Sequence, residues 1–293
     1  MECGKGSSLK ILERESMKLH TTFRTGGEAD TFIEVSSVDD VKVAAATYDN
    51  LLIIGNGSNL LVSDKGIHQP VLHLLNEFNK IELLDDGEIY AEAGALLSRV
   101  AAFARDNSLA GLEFASGIPG SVGGAVVMNA GAYGGEMKQV ITFVDVFMNG
   151  EVKTIPASEM DFDYRHSRAM DEDMVILAMR VKLIPGNPDE ITALMKDFNQ
   201  RRRDKQPLEF PSAGSTFKRP TGYFAGKLIQ DAGLAGFQIG GARVSEKHCG
   251  FVINAGNATS KDVYDVIKHV QKTVLEKLGV VLETEVRLIG DFE

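Results

Sequence analysis

The chain has 293 residues and carries 31 Lys and Arg against 41 Asp and Glu, a net charge of −10 with histidine neutral. Its composition, 44% hydrophobic and 25% charged, is that of a soluble globular chain with core enough for about two domains, and excludes wholesale disorder. The acidic balance excludes the broad basic footprint of a nucleic-acid or anionic-membrane binder, while leaving room for a local basic pocket.

At the start, residues 1–10 contain no hydrophobic signal core, and no apolar run approaches the roughly 18 residues of a spanning helix. Residues 37–49 read as a helix, with Ser37 three residues ahead of Asp40 in the spacing of a capping box. A short apolar strand at 51–54 runs into Gly55-Asn-Gly-Ser-Asn59. Strands follow at 71–75 and 80–84, and Asp86-Gly87 turns the second back into 88–92. Apolar residues recur at helical spacing over 96–106. Residues 111–135 then hold eight of the chain's 30 glycines and break every periodic template. Beyond them, 141–148, the Asn149-Gly150 turn and 151–155 spell a hairpin, followed by a strand at 174–183. Pro185-Gly-Asn-Pro188 punctuates a change of pattern and marks a domain boundary. A helix from about 190 ends in Arg201-Arg-Arg-Asp-Lys205, and 206–220 is irregular. Residues 259–278 place apolar side chains at 263, 266, 267, 270, 274, 275 and 278 and stop at Gly279, a helix with its C-cap. The last expected strand is 280–289. Strand-rich first and mixed later, the chain reads as α+β. Two cysteines, Cys3 and Cys249, share no paired spacing, and the six histidines form no HExxH pair. These features point to a reducing cytoplasm and to neither a disulfide framework nor a metal site.

Five constellations carry possible chemistry. Gly55, Asn56, Gly57, Ser58, Asn59 and Leu60 follow a buried strand, as either a tight turn or a loop whose main-chain N–H groups approach an anion. Leu60 stands where the dinucleotide fingerprint needs glycine, and no Walker sequence exists. The longer loop runs through Gly117, Ile118, Pro119, Gly120, Ser121, Gly123 and Gly124 to Asn129, Gly131 and Ala132. Loops of this length in a compact domain are mostly functional, and this one suits a pyrophosphate, with a structural crossover as the alternative. Arg165, between Tyr164 and Ser167, suits a carboxylate, although surface pairing is the common fate of an arginine. Ser215 lies beside Lys218 and Arg219 and lacks the G-x-S-x-G elbow of ordinary serine hydrolases, so a turn or cap serine is its plain reading. In the expected last strand, Glu283, Glu285 and Arg287 share one face with Leu282, Val286 and Leu288 behind, as a solvated face or a presented carboxylate. The basic stretch 201–205 suits either a helix dipole or a diphosphate.

In order along the chain, Thr22-Phe-Arg-Thr-Gly-Gly-Glu-Ala-Asp30, Gly55–Asn59, Gly117–Ala125, Asn129–Gly134, Tyr164-Arg-His-Ser167, Ala213-Gly-Ser-Thr-Phe-Lys218, Ile239-Gly-Gly-Ala242 and Glu283-Thr-Glu-Val-Arg287 resemble the UDP-N-acetylenolpyruvoylglucosamine reductases. The compact segment 164–183 resembles the shorter subclass, which lacks a tyrosine-bearing loop insertion. The resemblance implies a vanillyl-alcohol-oxidase-type FAD-binding part with two α+β subdomains over 1–187, and a smaller α+β substrate-binding part over 188–293. It implies FAD cradled by the two glycine loops with Arg202 touching it, and NADPH as the reductant. Tyr164, Lys205, Lys218, Arg219, Tyr223 and His248 would face the UDP-sugar, and Arg165, Ser215 and Glu285 would be catalytic. Tyr133 and Tyr223 stay open between lid, flavin neighbour and packing. In such a reaction, reduced flavin delivers hydride to C3 of an enolpyruvyl ether, Arg165 and Glu285 offset the charge that develops through C2, and Ser215 protonates C2. The resemblance further implies a cytoplasmic monomer acting on a small molecule, with no nucleic-acid, membrane or metal partner. Two other readings are an FAD-dependent oxidase or dehydrogenase of a small alcohol, and a non-catalytic nucleotide-sugar-binding module.

Overall fold

The Asn149-Gly150 hairpin forms as its sequence spells it. In the computed structural model, which describes residues 9–74 and 78–293, Ile141–Met148 and Glu151–Pro156 pair antiparallel, with Met148 opposite Glu151. Asn149 and Gly150 take φ of 52° and 79°, the left-handed pair that a two-residue type I′ loop requires. Cys3 and Leu75, the last residue of the strand expected at 71–75, lie outside the described residues.

The chain divides into two compact units. One takes the chain up to residue 12, 31–56 and 69–200; the other takes 13–30, 57–68 and 201–293. In the first, the hairpin is extended by Val175–Lys182, Glu88–Glu92 and Ile81–Leu83 into a five-stranded antiparallel sheet. Val175–Met179 are buried without alternation, as in a strand covered on both faces. A parallel set places Val71–His73 between Glu28–Glu34 and Leu52–Ile54, with Ile33 opposite Leu72 and Ile54 opposite His73. Ile33, Leu72, Val100, Val122, Val146 and Met179 belong to one continuous core. The second unit gathers Phe23 and Leu61, from the first quarter of the chain, with Phe217, Ile229, Val244, Ile267 and Val286. There Leu60–Val62 pairs parallel with Arg287–Ile289.

The helices follow their local signals with informative exceptions. Val38–Thr47 is capped by Ser37, whose hydroxyl accepts from Asp40 N at 3.1 Å, but the Asp40 carboxylate accepts from Ser36 rather than closing the box on Ser37. Ser260–Leu278 has a full box between Thr259 and Asp262 and ends at Gly279 with φ 69°. Its buried stripe stops at Val274, since Leu275 and Leu278 are exposed. Pro188 opens the helix Pro188–Lys205 instead of breaking the chain there, as a first-turn proline needs no N–H partner. The compact units change over within this helix, after residue 200.

The glycine-rich stretch contains a helix, Val122–Val127, because Ala93 and Ala95 carbonyls accept from the Gly123 and Val122 amides at 2.8 Å each and Ser121 caps it. A Cβ on Gly123 would sit 3.2 Å from that of Ala93, so the missing side chain lets the helix lie close. The last strand is only Arg287–Ile289. Leu282 and Val286 are buried as expected, but Leu288 is exposed and the chain bends at 285–286, between an isolated bridge at Thr284 and the strand from Arg287, so no single strand runs from Glu283 to Arg287. A ladder to 216–218 governs this segment instead of a continuous strand: Lys218 N donates to Glu283 O and Glu285 N to Thr216 O, both at 2.9 Å.

Candidate active site

Within the first unit the two glycine loops meet. Asn56 Nδ2 donates to Pro119 O at 2.5 Å, and a Cβ on Gly55 would run into Ser121 Oγ. The pairing gives a cradle that side chains would fill, the form expected for an extended diphosphate cofactor such as FAD. Its donors are not those of the whole loop. The Val122, Gly123 and Gly124 amides are taken by Ala95, Ala93 and Ser121, and Ile118 N donates to Ala115 O at 3.0 Å. Gly123 and Gly124 therefore contribute close approach, and the residues before Ser121, Gly117 and Gly120 among them, are the better placed to offer N–H groups. Asn199 Nδ2 donates to Ser116 Oγ at 3.2 Å, tying the long helix to the start of the loop.

Asn129 is fully buried and left-handed, with φ 39°. Both its amide protons are engaged, on Glu136 Oε2 and Asp163 O at 2.9 Å each, and its Oδ1 accepts from Lys138 N at 2.9 Å. The side chain expected to meet the cofactor thus joins three segments, and the Asn129 amide donates to Val126 O at 3.1 Å. Asn129→Ala is expected to lower stability by roughly 1–3 kcal/mol, because it strands buried polar partners; a denaturant titration measures this. Gly131-Ala132 pairs with Gly135-Glu136 around Tyr133-Gly134, both left-handed. The Tyr133 ring stacks on Phe198 at 4.5 Å between centroids, which gives that tyrosine a packing role.

Arg165 reaches the same loop. Asp163 and His166 exchange two backbone hydrogen bonds of 3.2 Å, which leaves Tyr164 and Arg165 at the tip of a two-residue turn. Arg165 sits at φ 55°, its Nη2 donates to Gly131 O at 3.2 Å, and its guanidinium lies 5.0 Å from the centre of the Tyr164 ring. Ser167, fully buried, donates to Val127 O at 2.8 Å and pins the turn to the glycine helix. The strained conformation of the arginine is thus held by its neighbours on both sides.

The second unit sets Ser215 and Glu285 beside Thr216. That buried threonine donates its amide to Gly250 O at 2.8 Å, accepts from Val252 N at 2.9 Å through Oγ1, and receives the Glu285 amide. Ser215, exposed, precedes it, so Ser215 and Glu285 lie on adjoining rungs. Asn59 Nδ2 donates to Glu285 O and Asn59 O accepts from Arg287 N, both at 3.0 Å. The 57–60 half of the first glycine loop is therefore fixed beside Glu285. Gly57 has φ 59°, and a Cβ there would collide with the His20 carbonyl. Gly57→Ala is expected to weaken FAD binding at least about tenfold, read by flavin titration, because the backbone itself must move.

The His248 ring is half-buried in a slot lined by Gly226 and Gly250, where added Cβ atoms would approach it to 3.3 and 3.0 Å. Burial pushes its pKa below the usual histidine value, and the Lys205 charge adds to that. With Nδ1 accepting from Gly250 N at 3.2 Å, the neutral ring offers Nε2–H as a donor. Arg219 stacks on Phe224 at 4.0 Å and donates to Tyr223 O at 3.3 Å, so Arg219, Tyr223 and Phe224 form one exposed turn. Lys218 pairs with Glu283 at 3.3 Å, and Arg202 lies half-buried near the end of the long helix. Thr216 and the structural role of Asn129 escaped sequence reasoning, since no spacing marks either. Phe224, an exposed aromatic beside Tyr223 in a polar turn, carried a signal that was readable.

Among the described residues no cluster of His, Cys, Asp and Glu is arranged for a metal, and no helix is long and apolar enough to cross a membrane. Residues 30–155 match the family described as FAD binding domain, and 206–289 match UDP-N-acetylenolpyruvoylglucosamine reductase, C-terminal domain. The UDP-N-acetylenolpyruvoylglucosamine reductase of Agathobacter rectalis is 52% identical, over 97% of this chain and 95% of that protein. That of Caldanaerobacter subterraneus is 49% identical over 96% and 94%. The crystal structure of UDP-N-acetylenolpyruvylglucosamine reductase from Thermus caldophilus superposes with a TM-score of 0.85 at 34% identity, over 97% of this chain and 99% of that one.

Proposed function

The chain belongs to the UDP-N-acetylenolpyruvoylglucosamine reductase family, and from that premise we propose how its residues divide the work. The protein is an FAD-dependent oxidoreductase that reduces the enolpyruvyl ether of UDP-N-acetylglucosamine enolpyruvate to UDP-N-acetylmuramate, a step of peptidoglycan precursor synthesis. FAD, reduced by NADPH, supplies the hydride. The 55–60 and 116–132 loops would hold its diphosphate and border its ring, an assignment supported by the Asn56–Pro119 bond and the glycine contacts. Arg202 would add a cation to that cradle.

Arg165 would oppose the negative charge that develops from C2 into the substrate carboxylate, acting from a turn whose strain fixes its position. Ser215 would give its proton to C2. A serine hydroxyl is a weak acid, and the carbanionic centre is basic enough to take that proton. Glu285, fixed through its own main chain, would hydrogen-bond the developing charge or hold the proton supply in place. Lys205, Lys218 and Arg219 would meet the anionic groups of the UDP-sugar, with His248 Nε2–H as a neutral donor and Tyr164 and Tyr223 at the edges.

The observation that carries this reading is the ladder that sets Ser215 and Glu285 on adjoining rungs, in a chain 97% of which aligns with a member of the family. We further propose a cytoplasmic monomer, supported by a buried free thiol at Cys249 and an acidic surface charge, and a consequent role in cell division and shape. The test is the absorption spectrum of the FAD-loaded protein during an anaerobic NADPH titration. Bleaching near 450 nm at about one equivalent supports the reading, and a protein that takes up no flavin removes it.

A further inference from the structure

The imidazole of His166, next to Arg165 in the chain, faces two oxygen acceptors. Its Nδ1 lies 3.2 Å from the Asp161 carbonyl oxygen and its Nε2 lies 2.8 Å from Asp171 Oδ2. A carbonyl has no proton to donate and neither has a carboxylate, so both ring nitrogens must carry hydrogen for both contacts to be bonds. Neutral imidazole carries one. We infer that His166, held as an imidazolium between Asp161 and Asp171, is the positioning residue that locks the Arg165 turn, so that loss of its ring proton loosens the guanidinium.

The consequence for Arg165 follows from the backbone. Asp161 and Arg165 are both left-handed, at φ 47° and 55°, conformations that non-glycine residues hold only when their surroundings enforce them. The ring reaches Asp161 on the entry side of the turn and Asp171 on the exit side, closing the loop that carries the tip. Ser167 and Asn129 anchor the same turn from beneath, on Val127 O and through Asp163 O.

The charged groups around the ring favour the imidazolium. Asp161, through its carbonyl, and then Asp171 raise the His166 pKa, and Asp163 adds to them. Arg168 is committed to Glu172 at 2.7 Å, and Glu136 pairs with Lys138 at 3.1 Å on the Asn129 side. Arg165 itself is the nearest cation along the chain. The helix Val122–Val127 beneath carries no ionisable side chain. Because the folded pKa is raised, the clamp is fully formed below the ordinary histidine value of 6.5 and is lost as pH rises through the higher folded value.

The inference rests on the proposed role of Arg165, so its test separates the two. In the FAD-loaded enzyme, prereduced with NADPH, the rate of flavin reoxidation by the enolpyruvyl sugar nucleotide is measured from about pH 6 to 9.5. The parent is expected to show a falling limb above the ordinary histidine value. Asp171→Asn should move that limb to lower pH. His166→Gln should remove it, leaving a rate about tenfold lower near neutral pH. A limb that neither variant moves overturns the inference while leaving the reductase reading intact. A parent that the sugar nucleotide does not reoxidise at all overturns the reductase reading instead. NMR of the labelled full chain then decides the clamp alone: an Arg165 Nε–H signal that titrates with the His166 ring supports it, and one indifferent to the ring overturns it.

Discussion

Ser215→Ala is expected to leave flavin reduction by NADPH within a few-fold of the parent and to slow reoxidation by the enolpyruvyl sugar nucleotide by roughly 10²–10⁴-fold. The hydroxyl is exposed and its loss leaves Thr216, the buried residue that organises the segment, untouched, so the variant should fold with parent stability. In the proposed role of Ser215, only the proton that C2 would take is removed. Stopped-flow absorbance separates the two half-reactions, and an equal fall in both would return Ser215 to a turn serine. Ser215→Cys, which keeps a donor with a lower pKa, should recover part of the second step.

Arg165→Ala should cost the oxidative half-reaction roughly 10²–10³-fold, the range found when one preorganised donor to a developing charge is removed. The left-handed backbone at Arg165 permits a sharper version. Arg165→Gly deletes the same guanidinium and also relieves the strain at φ 55°, so it should be as slow as the alanine variant yet more stable by about 1 kcal/mol. Reoxidation rates and thermal melts of the two variants check this together. A glycine variant no more stable than the alanine variant would mean that the turn holds no strain for the arginine's sake.

How far the sequence foretold the structure depends on whether local signals acted alone. The Asn149-Gly150 hairpin and the helix over 260–278 are written in two residues and in an apolar stripe between caps, so they were readable almost to the residue. The 280–289 segment was not. Its apolar spacing imitates a strand, but pairing with 216–218 and burial of Leu282 and Val286 bend it, and that pairing joins residues some 65 positions apart in the chain. The helix at Val122–Val127 was hidden for a related reason: two glycines suppress every propensity signal, while Ser121 and carbonyls from 93 and 95 supply the bonds. Among site residues, the two glycine loops stood out by composition and Arg165 by its Tyr164 and Ser167 neighbours, and the structure brings both loops together at Asn56 and Pro119 and sets Arg165 on Gly131. Glu285, singled out by a strand face and by the family resemblance, is held by its backbone beside Ser215 and Asn59. Asn129 was marked as a cofactor contact, yet its side chain holds the Arg165 turn, a role that only its three buried partners disclose.

The central claim is that reducing equivalents from NADPH end on the enolpyruvyl group. The most direct test is a single turnover in D₂O: NADPH-reduced enzyme is mixed anaerobically with UDP-N-acetylglucosamine enolpyruvate while the flavin band is followed, and the sugar nucleotide is then weighed by mass spectrometry. The flavin band should return in step with formation of UDP-N-acetylmuramate carrying a solvent deuteron at C2, with a second at C3 where the reduced flavin N–H has exchanged with D₂O. A flavin that stays reduced until oxygen is admitted, with the sugar nucleotide recovered unchanged, would contradict it.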